Sequence, residues 1–246
     1  MHGGPARVDW EHFDAVLFDL DGVVTPTAVV HERAWAELFA PWGFTQQDYL
    51  TYVDGRPRYD GVATFLASRG VELPWGEPTD PPGDTTVCAL GNRKNALFNE
   101  VLDRDGVEPY PGTMQVLAVL DAAGVGQAIV SSSKNARAVL HAAGLGDRFP
   151  VIVDGIVAAA ERLPGKPAPD TFLRAAELLR VTADRAAVVE DASSGVAAGR
   201  AGGFALVLGV DRGGNAEALA AAGADVVVGD LAETLRPTPT ETEDDR

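Results

Sequence analysis

The first unbroken apolar run along the chain is Ala15-Val16-Leu17-Phe18, and it ends abruptly at Asp19. A run this short, without polar alternation, predicts a strand buried on both faces. Leu20-Asp21-Gly22 follows as a turn signal. Residues 29–40, 59–69 and 86–104 read as helices, the first stopped by Pro41 and the last by Gly106, with a Pro- and Gly-rich loop over 74–84 (PWGEPTDPPGD). Beyond residue 111 the pattern becomes regular. Helices are predicted at 113–123, 135–143, 169–180, 194–201 and 215–222, and strands at 127–131, 151–153, 186–190, 204–208 and 225–228. Strands alternating with helices at this spacing predict a parallel sheet covered on both faces. The strand at 15–19 belongs in that sheet, and the mostly helical stretch 25–105 interrupts the alternation. The expected architecture is therefore α/β: a Rossmann-like parallel-sheet core formed by 1–24 and 106–236, with an α-helical domain of residues 25–105 inserted after the first strand. The polar, acidic tail 237–246 (PTPTETEDDR) has the composition of a disordered segment.

Composition narrows the setting. With 246 residues, 46% apolar and 23% charged, the chain is long enough for a core carrying an insert. Cys88 is the single cysteine, so no internal disulfide forms and a reducing compartment is expected. No apolar run approaches the roughly 18 residues of a membrane span, and the start (MHGGPARVDWEHFD) lacks the apolar stretch of a signal peptide. These features predict a cytoplasmic protein with no membrane partner. The 36 acidic and 20 basic residues give a net charge of −16 without a basic stripe, which predicts no nucleic-acid partner. A chain this acidic that handles an anion must gather its cations locally or recruit a metal.

Ligands of open α/β sheets bind beyond the carboxyl ends of the strands. The first strand ends in Asp19 and Asp21, the next in Ser131-Ser132-Ser133-Lys134-Asn135, and the strand at 186–190 in Glu190-Asp191; Lys166 lies in the loop Pro164-Gly165-Lys166-Pro167. Converging carboxylates repel one another unless a cation sits among them. Mg²⁺ prefers oxygen ligands and commonly binds through one or two carboxylates plus phosphate oxygens. A Ser hydroxyl and a Lys ammonium can hold the remaining phosphate oxygens, and an Asp carboxylate can attack phosphorus. Asp21, two residues on, can serve as the acid and base. Each element has a plainer reading: Asp-Gly as turn chemistry, Ser131 or Glu190 as a helix cap, Lys166 as a solvated lysine. Gly165-Lys166 also resembles the end of a P-loop, but Ala160 occupies the earlier glycine position and the motif fails.

Phe18-Asp19-Leu20-Asp21-Gly22-Val23 resembles the first motif of the haloacid dehalogenase superfamily, and Ser131, Lys166-Pro167 and Glu190-Asp191 match its other three motifs in order. The resemblance spans roughly residues 14–210. It implies the superfamily's fold with the insert as a cap, Asp19 as nucleophile, Asp21 as acid/base, Ser131 and Lys166 as catalytic partners, and a Mg²⁺ site formed by Asp19, Asp21 (through its backbone carbonyl) and Asp191, with Glu190 nearby.

Further segments are similar to the β-phosphoglucomutase branch. They are DGVVTPTAVVHERAW, Gly55-Arg56-Pro57-Arg58, Arg93-Lys94-Asn95, Tyr110-Pro111-Gly112, Ser131-Ser132-Ser133-Lys134-Asn135 and Gly165-Lys166-Pro167-Ala168-Pro169-Asp170. That likeness implies that His31 and Lys94 assist the acid/base and the sugar hydroxyls, while Arg58, Ser133, Lys134 and Asn135 grip the phosphate that is not being transferred. Pro26 stands where the branch usually has an acidic residue and Asp54 where a basic one is common; both lie in the insert, where the sugar is selected. The expected function is interconversion of β-glucose 1-phosphate and glucose 6-phosphate through a hexose bisphosphate, by a monomer acting on small phosphorylated sugars. The alternatives are a sugar-phosphate phosphatase with the same nucleophile, and a non-catalytic sugar-phosphate sensor, which the retention of both Asp19 and Asp21 disfavours.

Overall fold

A computed structural model describes residues 7–54 and 56–235. Gly55 and the acidic tail 237–246 lie outside the described residues. The chain enters strand β1 (Ala15–Phe18), then passes through helices α1 (Thr27–Phe39), α2 (Gln46–Asp48), α3 (Arg58–Ser68) and α4 (Val87–Asp105). It returns through α5 (Pro111–Ala123) and β2 (Gly126–Val130), followed by α6 (Ala136–Ala142), β3 (Val151–Val153), α7 (Gly155–Glu161) and α8 (Asp170–Leu179). The last elements are β4 (Ala186–Glu190), α9 (Ser193–Ala201), β5 (Leu206–Val210), α10 (Ala216–Ala222) and β6 (Val226–Val228).

The six strands form one parallel sheet, as the alternation of elements predicted, and their order is β3-β2-β1-β4-β5-β6. Leu17 pairs with Ala128 of β2 on one side and Val188 of β4 on the other, so β1 is central. All four of its residues are buried. The two-residue period of a strand sends Val16 and Phe18 into one core with Ile129, Val139 and Leu120, and Ala15 and Leu17 into the other with Phe172, Ala175 and Val196. The connection out of β1 leads to β2 and β3 on one side, and the chain then crosses to β4 on the other. The strand order therefore reverses beside β1, which is where crevices form in such sheets.

The segment between β1 and α5 has its own apolar cluster, built from Trp35, Leu38 and Phe39 of α1, Val62, Phe65 and Leu66 of α3, and Val87 and Leu90 of α4. Phe39 is its hub, stacked on Trp35 at 5.3 Å and tilted against Phe65 at 4.2 Å.

Besides small shifts at element ends, such as α1 and α5 beginning two residues early, the structure departs from the sequence pattern in three places. The strand expected at 204–208 is Leu206–Val210, because Phe204 leaves the ladder to pack edge-on against Phe172 at 6.1 Å. Helix α7, absent from the sequence reading, starts where Asp154 Oδ1 accepts from the Ile156 and Val157 amides at 3.0 and 2.9 Å. Residues 46–53 hold α2 and a π turn (Tyr49–Val53), launched by a capping box between Thr45 and Asp48. Among the described residues, no helix is long and apolar enough to cross a membrane.

Replacing Phe39 with Ala removes a fully buried ring from the α1–α3 contact. Phe39→Ala is expected to destabilise the protein by about 3–5 kcal/mol in urea unfolding. A loss below about 1.5 kcal/mol, the cost of a volume-conserving swap, would show that the ring is not structural.

Candidate active site

The carboxyl ends of β1, β2 and β4 meet the loop that carries Lys166. The Asp19 amide donates to the Val189 carbonyl at 2.9 Å and the Ser131 amide to the Val153 carbonyl at 3.0 Å, so both residues are fixed by continuation of the sheet ladder. The Lys166 ammonium donates to Asp19 Oδ1 at 2.5 Å, to Glu190 Oε1 at 2.6 Å and to the Val130 carbonyl at 3.0 Å. Lys166 is only 4% exposed, and the bond preceding Pro167 is cis. Burial alone lowers its pKa, but the carboxylates of Asp19 and Glu190 outweigh that and hold it above the ordinary lysine value. Lys166 is thus a locked charge rather than a solvated loop lysine.

Glu190 engages both oxygens, Oε1 with Lys166 and Oε2 with the Ala192 amide at 2.8 Å. It therefore combines the turn-capping reading with an electrostatic one. Gly195 makes this possible: a Cβ there would lie 1.7 Å from Glu190 Oε1. Asp191 faces Gly22, whose φ of +93° and bare Cα leave room for its carboxylate; a Cβ would fall 1.7 Å from Asp191 Oδ2.

Asp19, Glu190 and Asp191 each offer an oxygen within 4.8 Å of the others. Burial pushes the pKa values of Asp19 and Asp191 well up; at Asp19 the opposing pull of Lys166 does not cancel it, and like-charged neighbours add to the rise at both. A hard, all-oxygen donor set that repels itself when ionised fits a divalent cation. Because Glu190 already serves Lys166 and Ala192, Asp19 and Asp191 are the carboxylates better placed to hold it.

Asp21 faces the insert. Its Oδ1 accepts from Thr27 Oγ1, at the start of α1, and lies 3.5 Å from His31 Nε2. His31 stacks on Phe98 with ring centroids 4.1 Å apart, and its Nδ1 is hydrogen-bonded to Lys94 Nζ. Lys94 is buried against the rings of Trp35 and Phe98, each about 5.1 Å away. Burial lowers the pKa of Lys94 well below the usual value, and neighbouring Arg58 adds to it. His31 is likewise lowered, first by burial and then by Lys94. Burial raises Asp21, but His31 and Thr27 outweigh it, so Asp21 rests below the usual carboxylate range.

A cavity of about 470 Å³ joins these residues to the cations Arg56, Arg58 and Lys94 of the insert and Lys134 of the core. Arg58 Nη2 donates to Asn95 Oδ1 at 2.7 Å, and Asn135 Nδ2 donates to the same oxygen. Lys134 Nζ lies 5.1 Å from the Tyr59 ring centroid, and Ser133 Oγ accepts from the Asn135 amide at 3.1 Å. Ser131, Ser133 and Lys134 line the cavity; the Asn135 amide turns to Asn95 instead. Ten of the twelve candidate residues line this cavity; Lys166 and Asn135 do not, and reach it through Asp19 and through Asn95. Thr27 and Asn95, which fall within the branch-like segments but were given no role, bond to Asp21 and Arg58, and Tyr49 lines the cavity. Tyr49, buried beside Asp54, carried no sequence signal.

Such an edge, with an aspartate at the end of the central strand and a buried lysine behind it, belongs to α/β phosphoryl-transfer enzymes. The chain is a member of the haloacid dehalogenase-like hydrolase family, whose model matches residues 13–203. It is 51% identical over 244 residues to a β-phosphoglucomutase of Mycobacterium tuberculosis, covering 92% of each chain. It is 30% identical over 194 residues to hexitol phosphatase A of Escherichia coli, covering 78% of this chain and 80% of that one. A crystal structure of β-phosphoglucomutase from Clostridium difficile superimposes with a TM-score of 0.75 at 27% identity, covering 90% of this chain and 92% of that one.

A cation that occupies the carboxylate cluster competes with protons for Asp19 and Asp191. Mg²⁺ added to chelator-treated protein is therefore expected to raise the unfolding temperature by several degrees, since a ligand at a hundredfold its Kd adds about 2.7 kcal/mol. The sign of the pH effect follows from the raised carboxylates: the increment grows as pH rises through their folded-state pKa values and fades as they protonate. Differential scanning fluorimetry across mildly acidic to mildly alkaline buffers checks both points. An increment that is absent, or unchanged in Asp191→Ala, would place the cation elsewhere.

Proposed function

We propose that the protein is a Mg²⁺-dependent mutase that interconverts β-glucose 1-phosphate and glucose 6-phosphate through an aspartyl-phosphate on Asp19. Residues 25–105 act as a cap over the site. What supports this reading is that one cavity is lined both by Asp19 and Ser131 and by the cations Arg58 and Lys134 with Ser133, enough donors to receive two phosphates. A phosphatase needs to receive only one, whereas a bisphosphate intermediate carries two.

The resting state of Asp21 sets the order of proton movements. Because Asp21 lies below the usual carboxylate range, it is ionised and ready to act as a base. In the phosphorylated enzyme it takes the proton of the sugar's 6-hydroxyl. That oxygen forms a bond to phosphorus as the bond between phosphorus and Asp19 breaks, giving the 1,6-bisphosphate. The bisphosphate reverses its orientation. Asp19 then attacks the 1-phosphate, the C1 oxygen leaves, and Asp21 returns its proton to that oxygen. Mg²⁺ held by Asp19, Asp191 and the backbone carbonyl of Asp21 would neutralise charge on the transferring phosphoryl oxygens. Ser131 and Lys166 hold the remaining oxygens on the core side. His31, backed by Lys94, keeps Asp21 oriented and meets the sugar hydroxyls. Asn135, through Asn95, steadies Arg58. The setting implied is a monomer acting in the cytoplasm on small phosphorylated sugars.

The second reading, a sugar-phosphate phosphatase, is favoured by the likeness to hexitol phosphatase A. It uses the same nucleophile, with water accepting the phosphoryl group.

Asp19→Asn keeps the shape of the side chain but cannot form the acyl-phosphate. Turnover of every phosphate ester is expected to vanish while the unfolding temperature holds; a tenth of the activity surviving in a clean preparation would contradict the assignment. Arg58→Ala separates the two functions. Loss of a charge-assisted phosphate contact costs on the order of 1.5–3 kcal/mol, or roughly 10–100-fold in kcat/KM for a bisphosphate. Hydrolysis of a small aryl phosphate, which has no second phosphate, is expected to stay near the wild-type rate. Free phosphate as the only product from phosphosugars, undiminished in the variant, would decide for the phosphatase.

A further inference from the structure

Arg212 lies in the loop after β5, far in sequence from the catalytic aspartates, and no motif drew attention to it. Its Nε donates to the Gly22 carbonyl at 2.8 Å, and its Nη1 donates to the Gly229 carbonyl at 3.0 Å and to Asp230 Oδ2 at 3.2 Å. The guanidinium carbon sits 3.6 Å from the centroid of the Tyr110 ring. The remaining nitrogen, Nη2, is buried without a hydrogen-bond partner. A mostly buried guanidinium with one donor unsatisfied is costly to keep for stability alone.

Its contacts fall at both points where the chain passes between the sheet and the insert. Gly22 directly follows Asp21 on the way out, and Tyr110 directly precedes α5 on the way back. The two passages are also tied to each other, through the Tyr110 amide on the Val24 carbonyl at 2.9 Å and Thr113 Oγ1 on the Val23 carbonyl at 2.7 Å. Gly22 has a φ of +93° and must lack a side chain to clear Asp191, so its backbone is the most permissive link next to Asp21. Arg212 grips the carbonyl of that residue.

We infer that Arg212 is a positioning residue for Asp21: by clamping the Gly22 carbonyl and stacking on Tyr110, it fixes the permissive peptide that sets where the Asp21 carboxyl points. The inference rests on the reading of Asp21 as the acid and base. A planar fork that serves several acceptors while stacking on a ring is a task that lysine does not reproduce.

Leaving-group dependence distinguishes positioning from simple stapling. When Asp21 is well placed it protonates the departing oxygen, so kcat/KM depends weakly on leaving-group pKa. When it is misplaced, poor leaving groups suffer and good ones do not. The experiment measures kcat/KM at saturating Mg²⁺ and mildly acidic pH for a series from phenyl phosphate to 2,4-dinitrophenyl phosphate. The proteins are wild type, Asp21→Asn, Arg212→Met and Arg212→Lys, each checked for folding by thermal unfolding. Asp21→Asn is expected to give the steepest dependence. Arg212→Met should move toward it, losing about tenfold or more on phenyl phosphate but less than about threefold on the dinitrophenyl ester. Arg212→Lys should fall between Arg212→Met and wild type. A uniform loss across the series, or a wild-type slope in a folded variant, overturns the inference. Should Arg212→Met fail to fold, Arg212→Lys decides by the same criteria. A wild-type slope as steep as that of Asp21→Asn would remove the role of Asp21, and with it the inference; a shallow wild-type slope shared by Arg212→Lys overturns the inference alone.

Discussion

The ammonium of Lys166, enclosed between Asp19 and Glu190, is the charge around which the carboxyl edge of the sheet is organised. Without it, β1 and β4 would end side by side in carboxylates inside a region that excludes most water, and like charges at that distance in a low dielectric are strongly repulsive. With it, Asp19 and Glu190 are held in fixed directions, and the Val130 carbonyl ties the same ammonium to β2. One side chain thereby joins three adjacent strands at their functional end. The lysine compensates only part of the negative charge. Asp191 stays above its ordinary pKa, and that residual charge is what a divalent cation would neutralise.

The insert answers the same electrostatic problem from the opposite side. A protein with a net charge of −16 brings Arg56, Arg58 and Lys94 of the insert to the cavity, where Lys134 of the core joins them. Two of these are not left to solvent: Lys94 is buried between aromatic rings and bonded to His31, and Arg58 is bridged through Asn95 to Asn135 of the core. The Asn95 bridge spans insert and core directly, so the cation that would receive the second phosphate is held by the same contact that sets the two parts against each other. A site arranged this way has its charges oriented before substrate arrives, which is how electrostatic stabilisation is made effective.

Much of this was legible in the sequence because the relevant signals are local. The unbroken apolar run before Asp19 identified a doubly buried strand, and polar residues at successive strand ends identified the edge on which the site is built. What escaped has identifiable physical causes. Helix α7 is short, and its signal is a single capping aspartate rather than a periodic apolar face. The 204–208 strand was misplaced by two residues because Phe204, apolar like its neighbours, packs against Phe172 instead of joining the ladder. The sequence points to Glu190 as a metal residue or a helix cap, but its partnership with Lys166 depends on two segments 24 residues apart and is visible only in three dimensions. Arg212 reaches Gly22 across 190 residues, a distance over which sequence pattern carries no information.

The central claim is that the phosphoryl group passes through Asp19. It is tested most directly by mixing the enzyme with glucose 1,6-bisphosphate labelled on phosphorus, quenching in acid within milliseconds, and mapping the label by peptide mass spectrometry. The account predicts stoichiometric, base-labile label on the peptide containing Asp19, its transfer to added β-glucose 1-phosphate in a chase, and no label in Asp19→Asn. Label on any other residue, or turnover of the bisphosphate with no labelled protein at any quench time, would contradict it.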